Sequence, residues 1–138
     1  RSDSSIALAK ADTFDFPAAF EGAGWFHITG ITPAISQSAA EAALASVQAA
    51  KAEGLTVSCD LNFRKKLWKW DADRQPVELA RATMAMLVKH IDVVIANEED
   101  ADLCLGISDD ASDVESGQID TEGYVRVARQ VVDQFPNV

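Results

Sequence analysis

No apolar run in the sequence approaches the ~18 residues of a membrane-spanning helix, so no membrane partner is expected. Positive charge is scarce too. Twelve Lys and Arg face 22 Asp and Glu, a net charge of -10. That balance argues against nucleic acid or an anionic membrane surface, because phosphates need a basic face. Cysteine is limited to Cys59 and Cys104, with no C-x-x-C and no His at ligand spacing. Two reduced, buried thiols in a cytoplasmic protein are the expectation. There is no G-x-x-x-x-G-K-[ST] phosphate loop, and the Gly22, Gly24 pair meets His27 where a dinucleotide fingerprint needs glycine. The acidic stretch Asp109–Gly117 has Ala111 and Val114 where a calcium loop needs an oxygen ligand and a glycine. No Ser, His and acid grouping stands out along the chain. Between Asn97 and Val125 there is no Lys or Arg, which reads as a solvated helix end plus a surface loop over 108–120. The chain opens on Arg1 without Met or a signal-peptide core and stops at QFPNV. The expectation is a piece cut from something longer.

What is present suits a single soluble domain over 1–138, with 48% apolar and 25% charged residues. Trp25–Thr29 is an apolar and aromatic run closed by Gly30, a strand signal, and Thr32-Pro33 opens a turn. Ser38-Ala39-Ala40-Glu41 has the form of a capping box, and the alanine-rich stretch to Glu53 is strong helix material stopped by Gly54. Leu55–Leu61 is a second strand. Pro76 suits a first helical position, with Val77, Ala80, Met84, Leu87, Val88 and Ile91 at helical spacing. Asp92–Ala96 is a third strand, apolar enough to be covered on both faces. Asn97 caps a short helix that Gly106 ends, and Tyr124–Phe135 is a last amphipathic helix. Strand and helix alternate. The fold class is therefore α/β: Rossmann-like, three-layer αβα, with a parallel sheet and right-handed crossovers.

Ligands of open α/β sheets bind at the strand carboxyl ends. The first strand ends in Gly30-Ile31-Thr32, the second in Asp60, Asn62 and Arg64, the third in Asn97-Glu98-Glu99-Asp100. Asp60, Asn62 and Arg64 share parity and point one way if the strand continues. An arginine there clamps a carboxylate or phosphate in two-point fashion, or else pairs with a nearby acid and caps the strand. Lys65, Lys66 and Lys69 read as a solvated face. The Asn97–Asp100 oxygens suit a hydrated magnesium, or simply a helix cap with acids the dipole favours. His27 reads as a core or strand-edge residue, the three tryptophans as packing, and Cys59 as inert.

Four segments, in order along the chain, resemble the ribokinase-like (PfkB) carbohydrate kinases, and among them bacterial 2-keto-3-deoxygluconate kinases. They are Trp25–Ala34, Cys59–Trp68, Ala96–Ala101 and Asp113–Gly117. The resemblance implies a partial ribokinase-like fold and an ATP- and Mg2+-dependent phosphotransferase. It implies that Arg64 holds the sugar acid, with Asp60 and Asn62 beside it and Ile31 as a pocket wall. Arg1 resembles, one residue looser, the arginine on the segment entering the main domain. Asn97 and Asp100, with Glu99 between them, match an N-x-x-E motif for magnesium and nucleotide phosphates, although position 100 is one methylene short. The family's late G-A-G-D motif, source of the catalytic base, has no counterpart, because only Gly117 and Gly123 follow Gly106. Nor do the lid and adenine pocket have counterparts. The expectation is a kinase core that is silent alone. The rivals are a non-catalytic scaffold domain and one half of a split kinase. Homodimers or larger species are expected from open sheet edges.

Overall fold

Each of the three apolar runs becomes a strand of one parallel sheet. β1 (Trp25–Thr29), β2 (Thr56–Asp60) and β3 (Val93–Ile95) lie in the order β1-β2-β3. The structure, a computed structural model, describes residues 4–109 and 121–138. In the register, Asp60 stands between Thr29 on β1 and Ile95 on β3.

Three short pieces precede the sheet: α1 (Ser5–Leu8), a 3-10 turn at Ala11–Thr13, and α2 (Phe16–Phe20). After β1 come α3 (Ile31–Ile35) and α4 (Gln37–Ala52). α5 (Pro76–Val88) joins β2 to β3, and α6 (Glu98–Leu105) and α7 (Thr121–Gln134) follow. The Thr32-Pro33 turn is thus a helical turn. The cap of α4 is Ser36 rather than Ser38: Ser36 Oγ accepts the Ala39 N–H at 3.0 Å. Ser38 is drawn away because its hydroxyl donates to the Ala9 carbonyl. Glu41 is held by Gln37 at 3.0 Å, so the expected capping box does not form. α5 gains one instead, with Glu78 Oε2 accepting the Gln75 N–H at 3.1 Å.

The core lies on one face of the sheet. Val57 and Cys59 of β2 are sealed against Val47, Leu79, Met84, Leu87, Ile91 and Cys104. Alanines 39, 40, 42, 43 and 50 of α4 are buried, and their small side chains let that helix lie close. The opposite face is different. Ile95 is 55% exposed, Trp25 58% and Val93 37%. β3 is therefore not covered on both faces among the described residues. Apolar composition marked the strand but not what lies over it. None of the described helices is long and apolar enough to cross a membrane.

Candidate functional site

The carboxyl ends of β1, β2 and β3 gather most of the candidate residues along one edge. The first junction is tight. Gly30 N donates to the Asp60 carbonyl at 2.7 Å, and a Cβ on Gly30 would sit 2.0 Å from the Leu61 carbonyl oxygen. Only glycine fits that approach. Ile31, half-buried, follows directly and leads into α3.

Asp60 is not a free acid. Its Oδ1 accepts from Thr29 Oγ1 at 2.7 Å, and its Oδ2 lies 3.3 Å from His27 Nε2. His27 Nδ1 meets Ser58 Oγ at 2.8 Å, and Trp25 Nε1 donates to the same oxygen at 2.8 Å. The register thus joins Ser58, His27 and Asp60, a grouping invisible in a linear reading because His27 lies 31 and 33 positions from the other two. Ser58 is buried at 3% exposure and bonded from two sides. The chain Trp25–Ser58–His27–Asp60–Thr29 is a polar seam between strands, which leaves Asp60 to hold the strand end rather than meet a ligand by itself.

β2 stops at Asp60, so the shared parity of Asp60, Asn62 and Arg64 does not persist. Asn62 turns into the left-handed region at φ 39°, where asparagine is tolerated better than most residues. The turn sends Phe63 inward, 9% exposed, and Arg64 outward. Among the described residues Arg64 makes no ion pair with an acid, and its guanidinium donates only to the Phe63 carbonyl, at 3.0 Å. It lines a cavity of about 520 Å³ with Phe63, Lys65, Lys66, Val77 and Glu99. Lys65 and Lys66, read from sequence as a solvated face, share this cavity. Three consecutive cations in an acidic chain were the available signal. A second cavity, about 320 Å³, lies along β1 between Phe14, Phe16, Phe26 and Ala43. It is apolar, with His27 as its one ionisable lining residue, and suits no anion.

At the third strand end, Asn97 caps α6. Its Oδ1 accepts the Asp100 N–H at 2.6 Å. Asp100 Oδ1 accepts the Phe63 N–H at 2.9 Å. Glu99 is exposed and faces the cationic cavity. No cluster of three or more His, Cys, Asp or Glu able to hold a metal exists among the described residues. With one oxygen each of Asn97 and Asp100 committed to amides, these residues do not by themselves fit a resident magnesium. Arg1 and the segment Asp113–Gly117 lie outside the described residues.

Both cysteines are buried and free. Burial, reinforced by nearby Asp60 and then Cys104, pushes the Cys59 thiol up to about 12, and burial with Asp100 does the same for Cys104. Neither serves as a nucleophile.

No family model matches the chain. Over 128 residues, 91% of its length, the chain is 33% identical to a 2-dehydro-3-deoxygalactonokinase of Haloferax volcanii, of which it covers 38%. The crystal structure of 2-dehydro-3-deoxygluconokinase from Thermotoga maritima superposes at a TM-score of 0.82 with 34% identity, covering 99% of this chain and 37% of that one. A PfkB family carbohydrate kinase from Listeria grayi gives 0.75 and 28%, covering 100% and 37%. The chain spans less than two fifths of the length of these relatives. In fold and in sequence it is similar, over this part of their length, to PfkB carbohydrate kinases and to kinases named for 2-dehydro-3-deoxy sugar acids.

Proposed function

We propose that residues 1–138 form, as one unit, the sugar-acid-binding part of a kinase acting on 2-keto-3-deoxygluconate or its galacto counterpart. One observation carries the reading. Arg64 stands at the carboxyl end of the central strand, unpaired with any acid among the described residues, over a cavity it shares with Lys65 and Lys66. A planar guanidinium matches a carboxylate in two-point fashion, and the flanking lysines add field without fixed geometry. Asn62 and Ile31 follow neighbouring strand ends, which Asp60 ties together through Thr29 and the Gly30 N–H. The likeness to the Haloferax 2-dehydro-3-deoxygalactonokinase and the Thermotoga 2-dehydro-3-deoxygluconokinase supports a sugar acid as ligand. The buried, unreactive thiols suit a reducing, cytoplasmic compartment.

Phosphoryl transfer needs a base on the acceptor hydroxyl and donors on the moving charge, held together in one site. The 138 residues carry the acid-binding side but no counterpart of the G-A-G-D motif from which the resemblance draws the base. The isolated chain therefore transfers no phosphate, and ATP with Mg2+ would act only where further groups complete the site. The test is a thermal melt with and without 2-keto-3-deoxygluconate. Ligand at a hundredfold its Kd stabilises by about 2.7 kcal/mol, a shift of several degrees for a domain of this size. No shift, in a chain that melts cooperatively, overturns the reading.

A scaffold or split-enzyme role is the second reading. The exposed Trp25, Val93 and Ile95 on the open sheet face favour it, since such a face drives association. Turnover restored by adding the complementary part of a kinase would select the split-enzyme form.

A further inference from the structure

We propose that Asp100 is a positioning residue, whose carboxylate fixes the loop that carries Arg64. The inference rests on the reading of Arg64 as the sugar-acid clamp. Asp100 Oδ1 takes the Phe63 N–H at 2.9 Å, across 37 positions of sequence. The Phe63 carbonyl takes the Arg64 guanidinium at 3.0 Å. Both polar groups of Phe63 are thus spoken for, one by α6 and one by the functional arginine. Upstream, Leu61 N donates to the Ile95 carbonyl at 3.0 Å. The turn at Asn62 is anchored on both sides, at Leu61 by β3 and at Phe63 by Asp100.

Asp100 is itself held still. Its N–H is bound by the Asn97 side chain at 2.6 Å, in the first turn of α6. A carboxylate accepting a backbone N–H from a buried residue makes a charge-assisted bond with a fixed direction. Without it, the Phe63 amide loses its partner in a place where Phe63 is only 9% exposed. The loop would then relax, and Arg64 would lose its set position over the cavity. The shorter acid at position 100 has a role of its own here: it spans from α6 to the loop.

The variants Asp100→Asn and Asp100→Ala separate this role from a purely electrostatic one, because asparagine keeps the Oδ1 acceptor and drops the charge. The measurement is amide hydrogen exchange at Phe63 by NMR in the ligand-free chain, with calorimetric titration of 2-keto-3-deoxygluconate. In Asp100→Ala, Phe63 exchange should rise about tenfold or more while the Leu61 and Leu87 amides hold their rates. Affinity for the sugar acid should fall about tenfold. Asp100→Asn should stay near wild type in both. Equal Phe63 exchange in wild type and Asp100→Ala overturns the proposal. So does a protected Phe63 in Asp100→Asn combined with a tenfold loss of affinity. If Asp100→Ala does not fold, the wild type decides, because a Phe63 amide without protection there overturns the proposal. If wild type binds no sugar acid while Phe63 exchange still follows position 100, the ligand reading falls and the loop clamp stands.

Discussion

Gly30 and Leu61 stand so close that a Cβ on the glycine would lie 2.0 Å from the Leu61 carbonyl oxygen. The contact joins the ends of β1 and β2 where the candidate site begins. Gly30 has no positive φ, so its requirement is space rather than backbone freedom. Gly30→Ala must push two backbone segments apart. We expect a loss of about 1–3 kcal/mol, read from urea unfolding. Sugar-acid affinity should fall with it, because Ile31 and the Asn62 turn lie on either side of the contact.

Asp92 fastens the other end of the sheet. Its carboxylate accepts the Val57 N–H at 2.7 Å and pairs with Lys51 at 2.7 Å. Partial burial opposes its ionisation, but the Lys51 bond, the Val57 amide and the Lys51 charge outweigh that and hold its pKa below the usual value. The folded state therefore binds this proton less readily than the unfolded state. The stabilisation is complete above the ordinary carboxylate pKa and disappears as pH falls through the lowered one. Asp92→Asn should flatten the stability profile on the acid side. Asp92→Ala should cost about 1–3 kcal/mol at pH 7, by stranding the amide of fully buried Val57.

The two thiols give an alkaline counterpart. Cys59 and Cys104 are pushed up to about 12 by burial. Both states keep the proton below about pH 9, and above it the unfolded chain releases first. Stability should decline between about pH 9 and 12, by up to ~1.4 kcal/mol per pH unit per thiol. In native protein at pH 8, a disulfide reagent such as dithionitrobenzoate should leave both cysteines unlabelled. Labelling should follow unfolding by urea. Rapid labelling before unfolding would refute the burial argument.

The strands and most helices were legible because their signals are local. Apolar runs marked β1, β2 and β3, Gly54 and Gly106 marked helix ends, and Asn97 marked a cap. The parallel order followed from strand and helix alternating. What escaped depends on distant partners. Ser38 lost its capping role to the Ala9 carbonyl, and the Ser58–His27–Asp60 seam exists only in the register. The short helix Phe16–Phe20 has no strong periodicity; Phe14, Phe16 and Phe20 stack in succession, and Phe20 meets Phe26 at a tilt. Asp100 reads from sequence as a magnesium-site residue or an acid the helix dipole favours, and no sequence pattern reveals that its carboxylate also reaches Phe63.

The open sheet face leads to a prediction about association. Ile95 is 55% exposed beside Val93, in register with Asp60. Wild type should run larger than a monomer in light scattering at micromolar concentration. Ile95→Lys should move it toward the monomer, with stability changed by no more than about 0.5 kcal/mol, as for an exposed position. A wild type that is already monodisperse and monomeric would remove the case for a scaffold role.

Arg64 supplies the sharpest test of the site. It is exposed, and among the described residues its guanidinium bonds only its neighbouring carbonyl, so its replacement should leave folding intact. Arg64→Lys keeps the charge but loses the planar fork. If two parallel bonds hold the carboxylate, lysine should weaken 2-keto-3-deoxygluconate by about ten- to a hundredfold, the worth of one charge-assisted hydrogen bond. Arg64→Ala should weaken it further. A neutral sugar lacking the carboxylate should bind all three proteins equally poorly. Lys65→Ala and Lys66→Ala should each cost less, and their effect should fade with added salt, because they act through the field across the cavity. Equal affinity for Arg64→Lys and wild type would mean that charge alone holds the acid, and the carboxylate clamp would have to be given up.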